Sequence, residues 1–196
     1  MSLRHRGRIR VSGGFCLLAV WFALMNGWQT LAIVLLASAV HEAGHVLALW
    51  CFGAPCRAVR LELWGAVMEA EQEHFTYGAE IVCVLAGPCA NLLCAAAVGA
   101  HSEVLTGANL VLCVFNLLPL RPLDGGRALY LAVSALAEPR AGECAARAAG
   151  GVTGAALGSA LVWVMGRTGG SLWLLPAAAA AYFLSIGELS GKQRFF

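Results

Sequence analysis

Apolar residues fill long stretches of this 196-residue chain, and polar residues gather between them. The stretches lie near 13–28, 30–52, 78–100, 104–120, 148–165 and 171–187. A helix needs roughly 20 predominantly apolar residues to cross the hydrocarbon core of a bilayer. The pattern therefore predicts an all-α polytopic membrane protein with about six transmembrane helices. Two segments depart from it. Residues 56–78, "CRAVRLELWGAVMEAEQEHFTYG", alternate apolar and polar positions around Trp64–Gly65, which predicts a β-hairpin between the second and third spans. A sheet edge cannot leave backbone groups unpaired in lipid, so this hairpin is expected to be membrane-associated but wet or packed on protein. Residues 127–137, "RALYLAVSALA", read as a short amphipathic or partly embedded helix.

Composition agrees with the pattern. The chain is 60% hydrophobic and 12% charged, with a mean hydropathy of +0.75. A soluble domain carries roughly twice that share of charge. Six spans use nearly the whole length, so residues 1–196 are expected to form a single integral membrane domain. The alanine run 177–181 suits close helix packing. The eight cysteines lie mostly in apolar runs and form no C-x-x-C pair, which predicts small buried hydrophobes in a reducing setting.

The placement of charge orients the spans. Arg4, Arg6, Arg8 and Arg10 precede the first apolar run, but no A-x-A-like cleavage site follows and a second run begins at once. A retained anchor is expected rather than a signal peptide. With the N-terminus inside, every one of the 13 basic residues except Arg167 falls in a cytoplasmic segment. That asymmetry predicts both termini on the cytoplasmic face. A basic arm beside an apolar span marks topology, so no nucleic-acid partner is expected.

The second span carries "VHEAGH", in which His41, Glu42 and His45 match H-E-x-x-H. Residues four apart return to one face of a helix, so both imidazoles can reach one metal ion. Glu42, about 100° round from His41, can reach an attacking water as general base. Ionisable groups inside a span are costly and mark function. Catalytic zinc sites use three protein ligands and an open position. Asp124 is the chain's one aspartate, in "FNLLPLRPLDGGRAL" (Phe115–Leu129), where Pro119, Pro122, Gly125 and Gly126 are expected to force the chain out of helical geometry. His41 and His45 lie roughly 10–16 Å below the cytoplasmic end of their span, a depth that such a loop can reach. Glu80, near the cytoplasmic end of the third span, is the rival. His101 and Glu103 fall on the opposite face, and His74 sits in an acidic stretch. Asn91 and Asn116 are polar residues within spans, suited either to interhelical hydrogen bonds or to substrate contact.

Three motifs, "HEAGH", "AGPCANLL" (Ala86–Leu93) and "FNLLPLRPLDGGRAL", in this order, resemble the site-2 protease family of intramembrane zinc metalloproteases. The resemblance covers about residues 30–137, the expected catalytic core, with C-terminal helices over about 148–187. It implies one Zn2+ per chain held by His41, His45 and Asp124, with Glu42 as the catalytic acid/base. It also implies a hairpin that presents the substrate as an extended strand. The layout looks most like the stage IV sporulation FB type, which processes a membrane-associated sigma-factor precursor. By that likeness the partners are a membrane-associated protein substrate, the lipid bilayer of a bacterial cell membrane and a membrane regulatory partner, with cytoplasmic access to the site. No CBS or PDZ domain is expected. The alternatives are a membrane metal transporter or an inactive scaffold using the same His/His/Asp site, and an H-E-x-x-H protease with Glu80 as third ligand.

Overall fold

The computed structural model describes residues 8–54, 56–62, 65–70, 75–167 and 175–189. The single domain expected over 1–196 divides into two compact units, Met1–Phe115 and Asn116–Phe196.

The described part of the first unit opens with strand β1 (Arg8–Val11), so Arg8 and Arg10 have a structural role beside their charge. Helix α1 (Gly13–Asn26) follows, capped by Ser12 Oγ, which accepts from the Phe15 amide at 3.2 Å. Gly27, at φ 87°, separates α1 from α2 (Trp28–Cys51). Only glycine takes that positive-φ conformation without cost, and it separates the helices of the first two apolar stretches. Strands β2 (Cys56–Glu62) and β3 (Gly65–Ala70) pair antiparallel, with Glu62 opposite Gly65. β1 adds in parallel on the other edge of β2, giving the order β1-β2-β3. His74 lies outside the described residues. Helix α3 (Tyr77–Val98) is capped by Thr76 and runs through Pro88; a 3₁₀ turn (Gly99–His101) and α4 (Glu103–Asn116) follow.

The second unit contains α5 (Asp124–Leu136), α6 (Pro139–Arg167) and α7 (Leu175–Leu189). α6 buries Gly142, Ala146, Gly150, Gly151, Gly154 and Gly158. A Cβ on Gly154 would stand 3.0 Å from the Ala181 carbonyl oxygen, and one on Gly158 would stand 2.9 Å from the Tyr182 ring. Small residues let the backbones approach, and Ser185 Oγ then donates to the Gly151 carbonyl at 2.7 Å. Arg121 grips Glu188 through two contacts, Nε to Oε1 at 3.0 Å and Nη2 to Oε2 at 2.8 Å. Both side chains are buried, which ties the segment after α4 to the end of α7.

Among the described residues, three helices, α2, α3 and α6, are long and apolar enough to cross a membrane. α1 and α4 are apolar but have 14 residues each, about 21 Å of helix. Large apolar side chains such as Leu17, Leu93 and Val111 project outward from these helices, as a hydrocarbon surround requires. Two sequence expectations need correction. The span near 148–165 belongs to a longer helix that starts at Pro139. Asp124, Gly125 and Gly126 are not in an irregular loop but form the first turn of α5. The glycines serve close packing there: a Cβ on Gly125 would meet the Leu117 carbonyl, and one on Gly126 the Leu120 carbonyl. The cysteines also differ from expectation. Cys83 and Cys113 are buried, whereas Cys16, Cys51, Cys89 and Cys144 are exposed.

Candidate metal centre

α2 carries the H-E-x-x-H sequence in its C-terminal half, and α3 packs beside it. Two glycines set how close they come. A Cβ on Gly44 would lie 2.5 Å from the Ala86 carbonyl oxygen and 2.7 Å from Ala90 Cβ. A Cβ on Gly87 would strike His45 Nε2 and stand 2.8 Å from His41 Cε1. "HEAGH" and "AGPCA" therefore interlock, each placing a glycine against the other helix. The backbone of α3 forms one wall of the histidine site.

Each imidazole is anchored through Nδ1. His41 Nδ1 lies 2.6 Å from Asn91 Oδ1, and His45 Nδ1 lies 2.8 Å from the Cys83 carbonyl oxygen. A carbonyl oxygen only accepts, so His45 Nδ1 carries the hydrogen and Nε2 of the neutral ring holds a lone pair. The same assignment holds for His41 when the Asn91 oxygen faces it. The two Nε2 atoms then face each other at 3.1 Å. Lone pairs at that distance repel unless a proton or a metal ion lies between them. Two imidazole nitrogens bound to one tetrahedral zinc ion stand about 3.3 Å apart. The donor set fits a divalent cation, with the Nδ1 partners acting as the outer contacts that orient metal-binding histidines.

The other sequence candidates fall as follows. Glu42 is half-buried on α2 beside His41. Asp124 opens α5 and is half-buried, in the second unit. Glu80 lies in the first turn of α3, and Asn116 ends α4. His101 is exposed, with Nδ1 3.1 Å from the Val98 carbonyl oxygen at the end of α3. Asn91 is not placed to meet a substrate. It is fully buried, and its amide hydrogens go to the Ala37 carbonyl at 2.9 Å and Asn109 Oδ1 at 2.8 Å. Its oxygen meets His41, so the whole side chain is committed to holding α2, α3 and α4 around the ring.

Sequence reasoning missed Asn109, which is fully buried in α4. The available signal was the same as for Asn91, an amide inside an apolar span. Gly87 gives the first test. Gly87→Ala is expected to weaken divalent-metal affinity by roughly 5- to 150-fold, the range matching ~1–3 kcal/mol of overpacking. Zinc titration of the folded variant in detergent measures this, and wild-type affinity would contradict the interlocked geometry.

No family model matches the chain. The chain is 33% identical over 182 residues to a Mycobacterium tuberculosis protein named "Putative zinc metalloprotease Rip3". That alignment covers 83% of this chain and 45% of Rip3. A Synechocystis protein named "Putative zinc metalloprotease sll0528" is 34% identical over 112 residues, covering 50% of this chain and 30% of its own length. Stage IV sporulation protein FB of Bacillus subtilis is 28% identical over 138 residues, covering 65% of this chain and 48% of that protein. The chain thus spans less than half the length of each of these relatives. Its fold is similar to a site-2 protease from Methanocaldococcus jannaschii, with a TM-score of 0.60 at 20% identity over 92% of this chain and 89% of that one. With the H-E-x-x-H helix and its glycine-packed neighbour in place, these relationships assign the chain to the site-2 protease family.

Proposed function

We propose that this chain is an intramembrane zinc metalloprotease that hydrolyses a peptide bond in or near the transmembrane segment of a membrane-associated protein. The observation that carries this reading is the pair of Nε2 atoms 3.1 Å apart, each ring held through Nδ1. Relatives named as putative zinc metalloproteases support zinc as the metal; one ion per chain is the stoichiometry of this reading. In this reading Asp124 is the third ligand. The motif resemblance supports it, and so does its position in the first turn of α5. A bound zinc ion would polarise the scissile carbonyl and lower the pKa of water toward ~7.

The remaining chemistry belongs to side chains. Glu42 takes a proton from the attacking water and passes it to the leaving amine. Asn91 and the Cys83 carbonyl hold the imidazoles so that their Nε2 atoms converge. A substrate helix must unwind before its carbonyl can be attacked, because helical carbonyls are already hydrogen-bonded. An extended substrate segment beside the β1-β2-β3 sheet would recover those backbone bonds. Both termini and access to the site lie on the cytoplasmic face in this reading, and the charge asymmetry supports it. A sigma-factor precursor or an anti-sigma factor is the substrate class, cleaved under control of a membrane regulatory partner. That choice rests on the motif resemblance to the stage IV sporulation FB type.

The reading is tested by metal removal. Purified chain in liposomes, with a membrane-anchored substrate, should lose cleavage after 1,10-phenanthroline treatment and regain it on adding one equivalent of zinc. Cleavage that persists in zinc-free protein would overturn the metalloprotease reading.

A further inference from the structure

The buried amides between α2, α3 and α4 form a chain of hydrogen bonds whose direction is set by two backbone carbonyls. Asn109 Nδ2 donates to the Leu105 carbonyl at 2.9 Å, and Asn91 Nδ2 donates to the Ala37 carbonyl at 2.9 Å. Both carbonyls accept only, so turning either amide over would set oxygen against oxygen. The Asn109 oxygen therefore faces Asn91 and accepts its second amide hydrogen at 2.8 Å. The Asn91 oxygen is left facing His41, 2.6 Å from Nδ1. Since that oxygen also only accepts, His41 carries its hydrogen on Nδ1 and keeps the Nε2 lone pair for the site. Both asparagines are fully buried, so bulk water cannot replace any link.

Asn109 raises the cost of the one alternative arrangement. Without it, Asn91 could turn over at the expense of its Ala37 bond alone and offer N–H to His41 Nδ1. The ring hydrogen would then move to Nε2, where it blocks metal binding. We propose that Asn109 is a positioning residue of the metal centre: by locking the Asn91 amide, it fixes the metal-competent tautomer of His41. The inference rests on the metal reading above for its consequence, but the tautomer itself is measurable without metal.

The experiment uses the full chain in detergent, labelled with ¹⁵N-histidine and free of metal. In the wild type the His41 resonances should report hydrogen on Nδ1, and a predominant Nε2–H form would overturn the proposal whatever the variants do. Asn109→Leu should mix the two tautomers and weaken zinc binding by roughly tenfold or more, the scale of outer-contact losses. Asn109→Asp is the conservative rescue. The carboxyl oxygen facing Asn91 still accepts its amide hydrogen and still locks that amide, so the variant should retain the wild-type tautomer and affinity. A folded Asn109→Leu variant with wild-type His41 signals and affinity would overturn the inference. Should Asn109→Leu fail to fold, Asn109→Asp decides it: a changed tautomer there also overturns it. Wild-type protein that binds no zinc but shows Nδ1–H would instead remove the metal reading and leave the network standing.

Discussion

Glu42→Gln is expected to lower cleavage of a membrane substrate by about 10²–10⁴-fold while leaving fold and zinc content unchanged. The substitution keeps the side chain's length and polarity but removes its capacity to accept and return a proton. Glu42 sits on α2 between the two histidines in sequence, yet about a quarter-turn away from His41 on the helix. It can therefore serve the attacking water without competing for the ring nitrogens, which face each other at 3.1 Å. Zinc analysis and a cleavage assay on the same preparation check both halves of the expectation. Near wild-type cleavage would remove the protease reading, and lost zinc would mean that Glu42 is a ligand rather than a base.

Asp124→Ala is expected to abolish stoichiometric zinc retention and, with it, cleavage. Two imidazoles alone give an incomplete catalytic site, since such sites use three protein ligands and one open position. Asp124 is the chain's sole aspartate and stands in the first turn of α5. The close packing of Gly125 and Gly126 against the Leu117 and Leu120 carbonyls holds that turn. Equilibrium dialysis against zinc measures the loss. A variant that still holds one zinc per chain would transfer the third-ligand role elsewhere, with Glu80 tested next by the same substitution.

Several features were legible in the chain itself. H-E-x-x-H within an apolar stretch predicts two imidazoles on one helix face, and the two Nε2 atoms lie 3.1 Å apart. Within the alternating stretch 56–78, Cys56–Glu62 and Gly65–Ala70 pair antiparallel as β2 and β3. Asp124 was harder. Its uniqueness singled it out, but proline and glycine around it suggested irregular chain, whereas the structure starts a helix there. Glycine weakens a helix when only intrinsic preference is at stake, and contacts with Leu117 and Leu120 override that preference.

The local pattern of this chain determined that apolar helices dominate it and which of them carries the imidazoles, because both follow from composition and periodicity over neighbouring residues. Tertiary structure alone decided the rest. The interlock of Gly44 with Ala86 and of Gly87 with His45 joins residues about 40 positions apart, and the contact sets how closely α3 lines the site. The direction of the His41–Asn91–Asn109 chain depends on carbonyls from α2 and α4, and the burial of Arg121 against Glu188 depends on the return of α7. An amide or a charge in an apolar stretch signals that a partner must exist. Which partner it meets, and which nitrogen then carries the hydrogen, is settled only when the helices pack.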